Sequence, residues 1–257
     1  MIDPNTILRC DGKVALVTGG TRGIGRAIVE TLVAAGAAVC VTARKQDELD
    51  ETVGTLRAGG GTATAFAGSV SDPEAVEASV AHCVAELGGL DILVNNAATS
   101  PWYGPVVDAD LGAVTKTFQT NQEGPLRYVQ AAWRTTMADK GGVILNVASL
   151  GGIKPTAGIG IYNISKAALI HMTRQLAMEL APTVRVNCLA PGIIRTSFSR
   201  ALYEADEEGT AARQPMARLG TPDDVAAAAL FLLSDASSWM TGEVVVLDGG
   251  GALTWPS

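Results

Sequence analysis

Lys13-Val14-Ala15-Leu16-Val17-Thr18 runs directly into Gly19-Gly20-Thr21-Arg22-Gly23-Ile24-Gly25. The first six residues, apolar and partly branched at their centre, read as a buried strand. Beyond the glycines, Ile24, Ile28, Leu32 and Ala35 recur at helical spacing, and Gly36 ends the helix. Strand, glycine turn and helix form half of a dinucleotide site. Glycines permit a tight turn and close approach of backbone to a pyrophosphate, and the helix start offers unpaired N–H groups to the anion. Gly19, Gly23 and Gly25 spell Gly-x-x-x-Gly-x-Gly, one residue longer at the first step than the common Gly-x-Gly-x-x-Gly.

From there the pattern alternates. Strand Ala37 to Ala43 precedes a helix over about 46 to 58, strand Thr62 to Ala67 a helix over about 73 to 87, and strand Asp91 to Val94 ends in Asn95-Asn96-Ala97-Ala98. A long helical tract from Asp108 to about Ala138, strained at Gly124-Pro125, leads to strand Val143 to Ala148 and the helix carrying Tyr162. Strand Val184 to Leu189, a polar lid over about 195 to 215, a helix from about Pro222 to Leu233 and strand Glu243 to Leu247 complete the chain. Strands alternating with helices through short turns predict an α/β fold: one doubly wound, seven-stranded parallel sheet with helices on both faces. Residues 1 to 12 read as a leader over the surface, and 13 to 257 as a single domain without repeat or linker.

Composition narrows the function classes. A chain of 257 residues with 47% hydrophobic residues can bury a large core. A formal charge of −7 disfavours a broad nucleic-acid surface, which needs clustered Lys and Arg to displace counterions. No apolar run is long enough to span a bilayer and no signal segment is visible, so a soluble cytoplasmic protein is expected. Cys10, Cys40, Cys83 and Cys188 lie far apart and, with only His82 and His171, make no metal-ligand pattern; no metal is expected.

The end of the second strand bears on the cofactor. Enzymes that select NAD usually place a carboxylate there to accept the ribose 2′-hydroxyl. Here Ala43 stands at that point, followed by Arg44 and Lys45, with Arg22 in the glycine turn and no carboxylate before Asp47. Two or three cations facing a 2′-phosphate imply NADP(H).

Ser149 follows a buried strand, where open α/β sheets keep their ligands. Tyr162 and Lys166 are four residues apart, one helical turn on one face. Free tyrosine has a pKa of about 10, and a cation ~5 Å away at an effective dielectric of ~20 favours phenolate by roughly 3 kcal/mol, about two pKa units. A phenol so lowered can exchange a proton with an oxygen that Ser149 holds.

In this ordered set the chain resembles the short-chain dehydrogenase/reductase family. The residues that carry the resemblance are Thr18 to Gly25, Asn95-Asn96-Ala97-Ala98, Asn121, Ser149, Tyr162-Asn163-Ile164-Ser165-Lys166, Pro191-Gly192 and Asp248-Gly249-Gly250. The β-ketoacyl-carrier-protein reductase-like group is nearest in flavour, with the tropinone reductases as neighbours. The resemblance implies a catalytic tetrad of Asn121, Ser149, Tyr162 and Lys166, in which Lys166 also binds the nicotinamide ribose and Asn121 holds a water of a proton relay. It further implies cofactor contacts from Gly19, Thr21, Arg22, Gly23, Ile24, Gly25 and Arg44. Ser69 and Val70 would meet the adenine, Asn95 would brace strands, and Ala97 would allow close approach. Pro191, Gly192, Ile194 and Thr196 would lie by the carboxamide. Ala98 stands where the family usually has Gly, and Ser69 where it often has an acid.

The expected reaction is reversible hydride transfer between NADPH and a ketone or secondary alcohol, of the 3-oxoacyl-thioester reductase or another carbonyl reductase type. An NAD-dependent secondary-alcohol or steroid dehydrogenase and a chemically silent nucleotide-binding protein remain alternatives. A serine hydrolase fits worse, because Val147-Ala148-Ser149-Leu150-Gly151 lacks the first glycine of a nucleophile elbow. Pro101-Trp102-Tyr103, Leu150 to Ile161 and the lid residues Phe198, Leu202 and Tyr203 are the candidate substrate wall. The lid's Glu204, Asp206, Glu207 and Glu208 read as a solvated charge run. Family likeness implies a homotetramer or dimer, with Trp255 in the Ala252-to-Ser257 tail a candidate to reach a neighbouring subunit.

Overall fold

The computed structural model describes residue 3 and residues 6–254. Seven parallel strands form one sheet in the order β3-β2-β1-β4-β5-β6-β7. They are β1 (Val14–Thr18), β2 (Ala38–Ala43), β3 (Ala63–Ala67), β4 (Ile92–Asn95), β5 (Gly142–Val147), β6 (Val184–Pro191) and β7 (Val244–Leu247). Between them run α1 (Gly23–Ala34), α2 (Gln46–Ala58), α3 (Pro73–Leu87), α4 (Leu111–Phe118), α5 (Gly124–Ala132), α6 (Ala138–Lys140), α7 (Gly160–Leu180), α8 (Glu207–Ala212) and α9 (Pro222–Leu233), with α10 (Gly251–Thr254) after β7.

All five residues of β1 are buried, and consecutive side chains serve opposite layers. Ala15 and Val17 pack with Ile28 and Leu32 of α1, Leu49 and Val53 of α2, and Val225 and Leu232 of α9. Val14 and Leu16 pack with Val76 and Val80 of α3, Tyr128 and Val129 of α5, and Leu176 of α7. A strand sandwiched this way must be apolar on both faces, which is why Val-Ala-Leu-Val carries no polar alternation. Each fully buried Leu or Val here contributes roughly 1.5–3 kcal/mol of transfer free energy.

Helix ends are set by local chemistry. Asp72 accepts from the backbone N–H groups of Glu74 and Ala75 at 3.0 and 3.4 Å, Pro73 follows, and Gly88 closes α3 at φ 86°. Thr221 and Asp224 form a reciprocal capping box ahead of α9. Arg218 clamps the same carboxylate through two nitrogens at 2.6 and 2.8 Å and holds its pKa well below the usual range.

One expectation is revised. The tract from Asp108 to Ala138 is not one helix: wide π turns at Gln119–Glu123 and Trp133–Met137 interrupt it, the first just before Gly124-Pro125. A proline lacks the N–H and crowds the preceding turn, so widening that turn relieves both. The leader is anchored where Cys10 enters the core and its N–H donates to the Ala35 carbonyl at 2.8 Å. Trp255, expected to reach a neighbouring subunit, lies outside the described residues. Among the described residues no helix is long and apolar enough to cross a membrane.

Strand order reverses between β1 and its two neighbours, β2 and β4, with Leu16 opposite both Cys40 and Leu93. The crevice at the carboxyl ends of these strands is where a doubly wound sheet binds ligands.

Candidate active site

The crevice begins at the glycine turn. Gly19 has φ 64°, and a methyl group there would press on Ala97 Cα at 3.1 Å. A methyl at Gly25 would collide with the Gly19 carbonyl and the Asn96 amide, so α1 and the turn meet backbone to backbone. Asn96 Nδ2 donates to the Thr18 and Gly19 carbonyls at 2.9 and 3.1 Å, and Thr18 Oγ1 accepts from the N–H groups of Asn96 and Ala97 at 3.0 and 3.1 Å. The turn after β4 and the turn after β1 are thereby one unit. The amino end of α1 has no side-chain cap and no acidic residue in its first turn, which leaves its N–H groups to an anion.

The walls follow from the strand ends. Gly19, Thr21, Arg22, Gly23, Ile24 and Gly25 line one side, with Arg44 beyond β2 and Ser69 and Val70 beyond β3. Ala97 and Ala98 follow β4, and Pro191, Gly192, Ile194 and Thr196 follow β6. Ala98 does not adopt positive φ, so an alanine fits where the family usually has glycine. The Ser69 hydroxyl accepts from the Ser71 N–H at 3.3 Å and keeps its own O–H to give.

Ser149, Tyr162 and Lys166 close the inner end. Ser149 Oγ accepts from the Gly151 N–H at 3.1 Å. Lys166 is 2% exposed, donates to the Val147 carbonyl at 2.7 Å and lies 5.6 Å from the Tyr162 ring centroid. Burial lowers its pKa from 10.5 to about 8. Tyr162 departs from expectation: burial pushes its phenol up to about 12, against a smaller lowering from Ser149. The ammonium does not overcome desolvation of the phenolate while it is held by Val147.

Asn121 and Asn95 do not line the crevice. Asn121, fully buried in the first π turn, donates to the Thr99 carbonyl at 3.0 Å and Ser165 Oγ at 2.9 Å, and accepts from the Thr99 N–H at 2.9 Å. It ties the loop after β4 to α7. Asn95 donates to Asn146 Oδ1 at 2.9 Å, and Asn146 to Thr173 Oγ1 at 2.9 Å, beneath the floor. The Asn121 amide and the Asn95 Nδ2 are engaged in holding the elements that carry Ser149 and Tyr162.

In the substrate wall Tyr103, Ile159, Phe198 and Leu202 face the crevice. The Phe198 ring sits 5.8 Å from that of Tyr162. Tyr203 does not face it; its hydroxyl donates to the Thr196 carbonyl at 3.2 Å and braces the lid. Trp102 likewise turns aside and donates to the Pro105 carbonyl at 3.2 Å. Three of the four lid acids are paired, Glu204 with Arg200, Glu207 with Arg195 and Asp206 with Arg213.

Sequence reasoning missed Glu48. In the first turn of α2, its carboxylate lines the same crevice as Arg22 and Arg44, accepting from Lys45 Nζ at 2.8 Å and Thr21 Oγ1 at 3.0 Å. At i,i+3 from Lys45 it resembles an ordinary surface pair, and only the turn of α2 over the glycine loop reveals where it points.

A family model described as Enoyl-(Acyl carrier protein) reductase matches residues 19–252. Human Dehydrogenase/reductase SDR family member 4 is 42% identical over 241 residues, covering 93% of this chain and 87% of the relative. The chain is a short-chain dehydrogenase/reductase. Among solved structures, a 7α-hydroxysteroid dehydrogenase complexed with NADH and 7-oxo glycochenodeoxycholic acid superposes with TM-score 0.93 at 33% identity, covering 98% of each chain. A blue fluorescent protein from a metagenomic library in complex with NADPH gives 0.87 at 34% identity, covering 94% of this chain and 98% of that one. As a short-chain dehydrogenase/reductase the protein is an oxidoreductase that uses a nicotinamide cofactor and acts on alcohol or carbonyl groups. This sets aside the hydrolase and the chemically silent readings.

Proposed function

We propose that this short-chain dehydrogenase/reductase transfers a hydride reversibly between NADP(H) and a ketone or secondary alcohol, with Tyr162 giving and taking the proton. The observation that carries the cofactor choice is the pair Arg22 and Arg44. Both line the crevice with Ala43; among the described residues neither is in salt-bridge contact with a carboxylate, although Arg22 is within Coulombic reach of Glu48. Two guanidinium groups with no direct carboxylate contact suit a dianionic 2′-phosphate. The uncapped amino end of α1 and the glycine turn, which side chains at Gly19 and Gly25 would block, suit the pyrophosphate.

When bound, NADP(H) supplies or takes up a hydride at its nicotinamide. Ser149 holds the substrate oxygen by hydrogen bond. A phenol raised to about 12 stays protonated through the neutral range, so Tyr162 enters a reduction as the acid. Lys166, charged below about 8, stabilises the phenolate that Tyr162 leaves behind. Asn121 and Asn95 keep the loop after β4, β5 and α7 in register, and Asn121 sits at the π turn from which a water relay to Lys166 can start. Tyr103, Ile159, Phe198 and Leu202 favour a substrate with an apolar body, a 3-oxoacyl thioester or another ketone.

The cytoplasm suits four buried, unbridged thiols. A homotetramer or dimer suits Trp239, fully exposed, and Leu111 and Val107, 77% and 91% exposed. A second reading, an NAD-dependent secondary-alcohol or steroid dehydrogenase, draws on Glu48, whose carboxylate can accept a ribose hydroxyl. Turnover of a ketone panel with NADPH and with NADH decides: the proposal expects higher kcat/KM with NADPH, and a preference for NADH refutes it.

A further inference from the structure

The adenosine end of the crevice holds three cations and, among the described residues, one carboxylate. Glu48 is fixed from two sides, by Lys45 Nζ at 2.8 Å and Thr21 Oγ1 at 3.0 Å. These contacts hold its carboxyl below the usual range, so it is ionised at neutral pH. The Lys45 charge is offset in this pair, which leaves no net positive charge there, and the carboxylate end lies within Coulombic reach of Arg22.

We infer that Glu48 is a specificity-determining residue that sets the balance between phosphorylated and unphosphorylated cofactor; the inference rests on the NADP(H) reading above. Its charge opposes a dianion at the ribose 2′ position and offers an acceptor to a 2′-hydroxyl. Arg22 and Arg44 attract the phosphate, and Glu48 moderates that attraction. The crevice therefore discriminates less strongly than its cations alone would make it.

The test measures ligand fragments on the full-length protein by calorimetry, using 2′,5′-ADP and 5′-AMP, which differ only in the 2′-phosphate, so that turnover plays no part. In Glu48→Gln, removing the one carboxylate charge that opposes Arg22 should tighten 2′,5′-ADP about tenfold. Affinity for 5′-AMP should stay equal or weaken, and the gain should shrink at high ionic strength, as a Coulombic effect must. Glu48→Asp keeps the charge and should retain more of the wild-type ratio of the two affinities than Glu48→Gln. A ratio unchanged in Glu48→Gln, both ligands moving together, or a shift as large in Glu48→Asp overturns the inference. Arg44→Ala tests the underlying reading separately. If it leaves 2′,5′-ADP binding intact, the phosphate site is wrong, whatever Glu48 does to the ratio.

Discussion

Replacing Lys166 by Met should make the pH dependence of stability differ between variant and wild type in a defined direction. Lys166 is 2% exposed, and burial depresses its pKa from 10.5 to about 8. Between those values the unfolded chain holds a proton that the folded chain has released, so stability rises with pH across this window. The contribution is complete above about 10.5 and is lost as pH falls through about 8. A shift from 10.5 to about 8 corresponds to roughly 3 kcal/mol at 1.36 kcal/mol per pKa unit. Lys166→Met removes the titration and also leaves the Val147 carbonyl without its donor, an offset of about 1–3 kcal/mol that does not vary with pH. Tyr162, whose pKa burial raises to about 12, acts in the opposite direction in both proteins; Cys188, raised to about 11, does so too and in the variant loses the smaller lowering from the Lys166 charge. Urea unfolding at fixed protein concentration should therefore show the wild-type minus variant difference climbing by roughly 2–3 kcal/mol between about pH 7 and pH 10. A difference that stays flat would show that the buried amine is not depressed, and the charge balance assigned to the site would fail.

Ser149→Ala should lower kcat about 10²–10³-fold while leaving 2′,5′-ADP affinity within about twofold, because one oriented donor to the substrate oxygen is lost; equal loss in both would indicate a structural role. Gly25→Ala should abolish measurable binding of 2′,5′-ADP and lower thermal stability, since the methyl group meets the Gly19 carbonyl and Asn96; fluorescence titration and a melting curve report both. In the reductive direction kcat should fall as pH rises through about 8, where Lys166 loses the charge that stabilises the phenolate; a rate flat to about pH 10 would contradict this.

Much of the fold could be read from the chain because its signals are local. Val14 to Val17 is apolar at every position since β1 is covered on both faces, and Asp72-Pro73, Gly88 and Thr221-Pro222 mark helix ends by capping chemistry that needs no tertiary partner. The π turns were not legible: an extra residue in a helical turn leaves the apolar period nearly intact, and only Gly124-Pro125 hinted at the first. Most crevice positions followed from strand ends, whereas Glu48, Tyr203 and Trp102 depend on where a side chain turns after its element is packed. Likewise Asn121 and Asn95 could be located in the sequence, but only packing shows that their amides bind backbone and side chains below the floor. The expected lowering of the Tyr162 phenol failed because spacing along a helix gives proximity to Lys166 and says nothing of burial, which here dominates.

Direct hydride exchange at a substrate carbon, with Tyr162 as proton donor, is the step on which the proposed reaction depends. The most direct measurement follows deuterium from NADPH labelled at the nicotinamide carbon that donates the hydride into the alcohol formed from a ketone. Wild-type protein should place one deuterium on the carbinol carbon, and Tyr162→Phe should make essentially no alcohol while binding 2′,5′-ADP normally. Alcohol formed without label, or turnover by Tyr162→Phe close to the wild-type rate, would contradict it.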